Sequence, residues 1–476
     1  MKATEGGKGR RMPRREFLVK LSTTAVGLGL TLGEGPRVVL AGEVTGRRKS
    51  PAVIKAAFLR PRGTYWMGWP GASYDVEGQR QRYTQQIQAA AKESGVRLLL
   101  SQQPLYEENA VKQFVAEAQQ QSPDGLLLVL LHMNQWRAVN SIVEAGLPTI
   151  IFAPIGVSFT GHVAGLSRRT GVYLVSSLDF NAVKYGMRMI KAARQMRESR
   201  IVNLRGNETK ETVVNKLGTQ VRTIPRHRFV EEFNRVAETA EVWAIADYYR
   251  GKAQKVVEPR EADILNAAKT YIASKRILEM EKADAITMDC LGLVGARQIP
   301  TPPCLAWSKL RDEGIAAGCE SDLNATLTLM LLQYLFDRPG FQQDPVAETV
   351  RNLFIGAHCT SPTKLNGTDQ PPEPFILRSH SESNIGVSMQ VLWREGQKIT
   401  IAQFAGPQRM LIYSGTVVGN VNTPPAGGCR TSVEVALDNV ADVRDVEGFH
   451  QVLIYGNYVH QLRAFCQLFG IEAVPA

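Results

Sequence analysis

Apolar and polar residues alternate in two different ways along this chain. In its first two thirds, short apolar runs rich in Leu, Val and Ile (residues 52–59, 96–101, 125–131 and 148–153) are separated by longer stretches with helical patterning (78–94, 107–121 and 134–145). Runs of that length read as buried strands. Strands separated by helices imply parallel βαβ units with right-handed crossovers. Residues 51–165 therefore predict a doubly wound, Rossmann-like α/β domain. A second series follows, with strands at 171–176, 200–204 and 285–289 and helices at 181–195, 229–241, 264–280 and 321–336. It predicts a second such domain over 166–345. Beyond it the period shortens. Residues 386–393, 398–403, 410–418 and 431–437 read as strands joined by Gly, Pro and Asn turns, and the chain ends on a helix near 460–469. The expected fold class is thus α/β: two doubly wound domains, then a β-rich antiparallel C-terminal domain over 346–476.

Composition narrows the class. In 476 residues, 44% hydrophobic and 21% charged positions suit a folded globular protein and exclude disorder as the main state. Six Cys are too few for a disulfide scaffold, and no Cys-x-x-Cys pair marks a structural zinc site. No run of about 18 apolar residues suggests a membrane span.

The net charge of +11 is concentrated at the start, where residues 1–41 carry eight Lys/Arg against three Asp/Glu. The body of the chain has no basic block, so no nucleic-acid partner is expected. Arg10, Arg11, Arg14 and Arg15 precede an apolar stretch over 17–32 and a small-residue site at Val39-Leu40-Ala41. That is the layout of a signal peptide, and P-R-R-E-F-L-V-K resembles the twin-arginine export motif. Residues 1–41 are expected to be a twin-arginine signal and 42–50 a linker. The mature chain is expected to be periplasmic or otherwise exported, without stable membrane association.

The candidate chemistry lies in the C-terminal half. Glu320 (G-C-E-S-D-L) stands at the start of an apolar helical stretch, and Asp344 (F-Q-Q-D-P) just after it. His358 (G-A-H-C-T) and His450 (G-F-H-Q-V-L) follow further on. Carboxylate oxygens with neutral imidazole suit a divalent Mn2+, Mg2+, Co2+ or Zn2+. Taken singly, each residue reads sooner as a helix cap, a solvated acid or a core or surface histidine than as a ligand. Cys319 and Cys359 flank two of these residues and read as small buried side chains. His380 and Glu382 (R-S-H-S-E-S) read as pocket-lining or as an exposed pair. Tyr65, Trp66 and Trp69 follow the first strand's carboxyl end, where ligands of open α/β sheets bind.

Three segments resemble the L-fucose isomerase and L-arabinose isomerase superfamily. They are T-P-P-C-L-A-W-S-K-L-R-D-E-G-I-A-A-G-C-E-S-D-L-N-A (301–325), L-F-D-R-P-G-F-Q-Q-D-P (335–345) and G-F-H-Q-V-L-I-Y-G-N-Y (448–458). The resemblance is carried by motifs over 290–476 and by architecture alone before that. It implies a divalent metal, commonly Mn2+, held by Glu320, Asp344 and His450, with His358 in the place of the arabinose branch's additional ligand. It implies aldose–ketose isomerisation through an enediol, with Glu320 and Asp344 also moving protons. It further implies a sugar substrate and a homo-oligomer, trimer or hexamer, in which Trp66 or Trp69 reaches substrate; His380, read from its own segment, is the further candidate for the substrate pocket. Two alternatives stay open on sequence: an exported sugar-binding protein, and an isomerase homologue that binds sugar without turnover.

Overall fold

The computed structural model describes residues 49–63, 73–422 and 428–475. The arginine-rich leader lies outside these residues, as do Tyr65, Trp66 and Trp69. No helix among the described residues is long and apolar enough to cross a membrane.

Five strands form the first sheet: β1 (Val53–Leu59), β2 (Arg97–Leu100), β3 (Gly125–Leu130), β4 (Thr149–Ala153) and β5 (Val172–Ser176). Their order is β2-β1-β3-β4-β5 and every pair is parallel. Strands β3 and β4 are buried at every position, as parallel strands covered on both faces must be. The strand expected to open the second domain is instead this sheet's fifth. Residues Val172 to Ser176 pair with Thr149 to Ala153, because the short helix Thr160–Leu166 returns the chain beside β4.

The second sheet contains β6 (Arg200–Leu204), β7 (Lys210–Val213), β8 (Gln220–Ile224) and, after the short β9 (Lys255–Val256), β10 (Ala285–Met288) and β11 (Ala316–Cys319). It runs β11-β10-β6-β8-β7, parallel except for the β7–β8 hairpin. That hairpin escapes a pattern reading, because Lys-Glu-Thr-Val in β7 is exposed throughout and carries no apolar signal.

The remaining strands are β12 (Phe341–Glu348), β13 (Leu353–His358), β14 (Phe375–Arg378), β15 (Ser388–Val391), β16 (Lys398–Phe404), β17 (Arg409–Asn420), β18 (Thr431–Leu437), β19 (Gln451–Tyr455) and β20 (Glu472–Val474). Six of them close on themselves in the order β16-β19-β12-β13-β18-β17, with β17 pairing back to β16. Every pair around this ring is antiparallel, so the expected β-rich domain is a closed barrel with no free edge along it. Outside the ring, β20 adds to β17, and β15-β14-β9 make a small sheet of their own.

One helix ties sheet to barrel. Leu323–Phe336 follows β11 and is buried on most of its circumference, as a helix apolar all round must be. It packs on β16 and β19 of the barrel and on the helix Asn181–Glu198. It starts two residues later than the apolar pattern predicts. Glu320 and Ser321 stand at φ +61° and +57°, outside helical space, and Asp322 caps the helix by accepting the Ala325 N–H at 2.9 Å.

Candidate metal centre

The barrel's register brings three of the four candidate ligands together. Strand β12 lies between β13 and β19. Asp344 faces Ala357, the neighbour of His358, and Gln343 faces Gln451, the neighbour of His450. Glu320 arrives from the other sheet, at the carboxyl end of parallel strand β11, the end at which such sheets bind ligands.

Two of the four sit on strained backbone. Glu320 and His450 both have positive φ, +61° and +59°. Such a residue without glycine's freedom costs on the order of 1 kcal/mol or more and persists where its surroundings over-determine it. The surroundings are visible. The Cys319 N–H, just before Glu320, donates to Gln342 Oε1 at 2.8 Å, and the Ser321 N–H donates to the Met288 carbonyl. Before His450, Gln403 accepts from the Phe449 N–H and donates to the Phe449 carbonyl. Gln451 donates to the Glu447 carbonyl, and Gln343 donates to Gln451. Gly448 completes this turn at φ +104°, where an added Cβ would lie 2.3 Å from Gln403 Oε1.

The result is a compact donor set. His450 Nε2 lies 3.6 Å from Glu320 Oε2 and 3.1 Å from Asp344 Oδ1, and His358 Nε2 lies 3.7 Å from Glu320 Oε1. One donor each from Glu320, His358 and His450 falls within a 4.8 Å group, with Asp344 against His450 at its side. Donors about 2.1 Å from a common ion stand about 3.0 Å apart when adjacent and about 4.2 Å when opposite. These separations fit that window. His450 Nε2 and Asp344 Oδ1 are both buried and have only each other at 3.1 Å, an ion pair when His450 is protonated and an unpaired couple when it is neutral. A divalent cation would give both a partner once that proton has left.

The far nitrogens are held as metal-bound imidazoles require. His450 Nδ1 is 2.9 Å from Asp322 Oδ2, and His358 Nδ1 is 3.2 Å from Thr360 Oγ1. Asp322 thus caps a helix with one oxygen and orients His450 with the other. Asp322 is not among the residues the sequence singles out; an Asp ahead of an apolar helix is compatible with a cap, and nothing local signals the bond to His450. Burial works against charge on His450, but the carboxylates of Asp322, Asp344 and Glu320 outweigh it and raise its pKa to about 9. Without a cation the cluster therefore keeps a proton on His450, which a metal must displace.

Beside the cluster is a narrow pocket of about 30 Å³, walled by Leu291, Pro302, Pro303, Thr360, His380 and Glu382 among others. It has room for an ion and a water or two, not for a whole sugar. His380 and Glu382 thus line the same pocket as the candidate ligands, and His380 Nδ1 is fixed 2.9 Å from Ser383 Oγ. Cys319 and Cys359 also line it; both are buried free thiols, and burial pushes Cys319 up to about 12 despite Arg311 nearby. A wider groove of about 760 Å³, lined by Lys184, Arg188 and Tyr334, shares no residue with this pocket. Trp66 and Trp69 are outside the described residues, so the structure places neither.

No protein-family model matches the chain. Over 186 residues it is 28% identical to the sulfoquinovose isomerase of Clostridium sp. (strain MSTE9), covering 36% of this chain and 40% of that one. Sulfoquinovose isomerases of Priestia aryabhattai and Priestia megaterium (strain ATCC 12872 / QMB1551) are 24% identical over 213 residues, 43% of this chain and 46% of theirs. These matches span less than half the length of each relative. Among solved structures, a solute-binding protein of an ABC transporter from Burkholderia multivorans is 10% identical, with a TM-score of 0.17 over 52% of this chain and 84% of its own. A sugar-binding protein of an ABC transporter from Bacillus halodurans is 14% identical, with a TM-score of 0.17 over 60% and 86%. Likeness that slight bears on neither fold nor function.

Proposed function

We propose that this chain is a metal-dependent aldose–ketose isomerase acting on a fucose-like, arabinose-like or sulfonated aldose. The observation that carries the reading is the convergence of Glu320, His358 and His450, with Asp344 against His450, from four separate segments of the chain. The partial similarity to sulfoquinovose isomerases supports the reaction class and adds sulfonated hexoses to the substrates worth testing.

In this reading Glu320, Asp344, His358 and His450 hold the ion; mixed oxygen and imidazole donors suit several divalent ions, and the resemblance points to Mn2+ among them. The bound ion would polarise the sugar carbonyl and offset the negative charge that develops as a carbon-bound proton leaves. The side chains do the rest. One of Glu320 and Asp344 takes the proton from C2 and returns it to C1; the other carries the hydroxyl proton between O2 and O1. Asp322 and Thr360 keep the imidazoles aimed. His380 lines the substrate side, and Trp66 or Trp69 reaches the sugar in a trimer or hexamer. The chain works after twin-arginine export, on a free small sugar.

The test is turnover by the chain from residue 42 onward with Mn2+, on L-fucose, D-arabinose, L-arabinose and sulfoquinovose, read as ketose formed. Ketose that vanishes with chelator and returns with Mn2+ is the expected result. No ketose and no stoichiometric Mn2+ binding overturns the reading and leaves a sugar-binding protein in its place.

A further inference from the structure

A buried arginine behind the pocket has no carboxylate partner. Arg311, in the helix Cys304–Asp312, is 2% exposed, and among the described residues it forms no ion pair. Its guanidinium is spent on neutral acceptors instead. Nε and Nη2 donate to the Ala317 carbonyl at 2.9 and 2.6 Å. Nη1 donates to the Thr360 carbonyl at 2.7 Å and to Thr360 Oγ1 at 3.1 Å. Nη2 also reaches Gln342 Oε1 at 3.5 Å and Cys319 Sγ at 3.9 Å. These acceptors belong to the ends of three ligand-bearing strands. Cys319 precedes Glu320, Gln342 lies two residues before Asp344, and Thr360 lies two residues after His358.

Thr360 links this arginine to a ligand. Its hydroxyl oxygen has two lone pairs and one hydrogen. Arg311 fills one lone pair. Cys319 Sγ, 3.4 Å away, can accept the hydrogen. With the hydrogen given to Cys319, the remaining lone pair faces His358 Nδ1 at 3.2 Å, an arrangement that puts the proton on Nδ1 and leaves the Nε2 lone pair toward Glu320.

We propose that Arg311 is a positioning residue which pins the three strand ends carrying Glu320, Asp344 and His358 and, through Thr360, sets the His358 tautomer that presents Nε2 to the metal. The proposal rests on the metal-site reading above and deepens it.

Thr360→Val removes the hydroxyl at nearly constant volume and leaves the Arg311 bond to the Thr360 carbonyl intact. Two readouts are needed in the full chain: Mn2+ affinity by calorimetry, and the His358 tautomer by 15N NMR of the metal-free protein. Thr360→Val is expected to lose about ten- to a hundredfold in Mn2+ affinity, with His358 moving toward the Nε2–H form and the metal-free melting temperature kept. Arg311→Lys, which retains charge and one donor, should fall between wild type and Arg311→Met in affinity. Wild-type affinity and an unchanged tautomer in Thr360→Val overturn the proposal. The tautomer reads without metal, so a wild-type chain that binds no Mn2+ would sink the metal reading while the NMR result still decides the role of Arg311 and Thr360.

Discussion

Asp322→Asn separates the two duties that one carboxylate performs. Asp322 Oδ1 accepts the Ala325 N–H at 2.9 Å, and Oδ2 takes His450 Nδ1 at 2.9 Å. Asparagine has a single acceptor oxygen, so one of these donors must confront an amide NH2. Losing a charge-assisted hydrogen bond is worth about 1.5–3 kcal/mol, which corresponds to about one to two pKa units on the imidazole. His450 should therefore titrate well below the value of about 9 that it has beside Asp322, Asp344 and Glu320. With His450 unprotonated in both proteins, above about pH 9, Mn2+ affinity should fall about ten- to a hundredfold, the usual loss when a carboxylate behind a metal-bound histidine is removed. The assay is an NMR titration of the His450 ring in metal-free protein, with calorimetry of Mn2+ binding beside it. Asp322→Ala serves as a control, because it also removes the cap and should cost about 1 kcal/mol more in unfolding free energy. An unchanged His450 pKa together with unchanged Mn2+ affinity in Asp322→Asn would refute the reasoning.

Other expectations follow from the same geometry. Glu320→Gln should abolish ketose formation and weaken Mn2+ binding while the circular dichroism spectrum stays as in wild type; normal turnover would remove Glu320 from the site. The raised His450 pKa gives metal-free protein a stabilisation that is complete below about pH 6.5 and lost as pH rises through about 9, with magnitude about 3 kcal/mol. Urea unfolding in chelator across that range should show the decline in wild type and less of it in Asp322→Asn. Mn2+ affinity should climb by up to tenfold per pH unit toward pH 9 as that proton leaves; a flat profile would contradict the displaced proton. Gly448→Ala puts a Cβ against Gln403 at a left-handed position, and should lower both the melting temperature and Mn2+ affinity through His450; a variant as stable as wild type would mean the turn relaxes freely.

Several features were written plainly into the chain. Continuous apolar runs such as Gly125–Leu130 marked buried parallel strands, because a strand covered on both faces has no polar side to show. The turn-punctuated tail marked antiparallel strands. The residue types of Glu320, Asp344, His358 and His450 suit a divalent ion, but singly they read as caps, solvated acids or structural histidines, and only the resemblance of three segments pointed to a metal. What stayed hidden depends on distance. Residue Val172 alone does not say whether its strand pairs with β4 or opens a new sheet; the crossover decides. Closure of the barrel is a relation between β16 and β17 at one seam and β12, β13 and β19 at another, and register there puts Asp344 next to His450 across more than a hundred residues. Nothing in the local sequence singles out Asp322 or Arg311. Their roles exist only after His450 and Thr360 are folded against them. Local pattern reports what a residue wants from its neighbours in sequence, whereas an orphaned nitrogen or a shared carboxylate is created by neighbours in space.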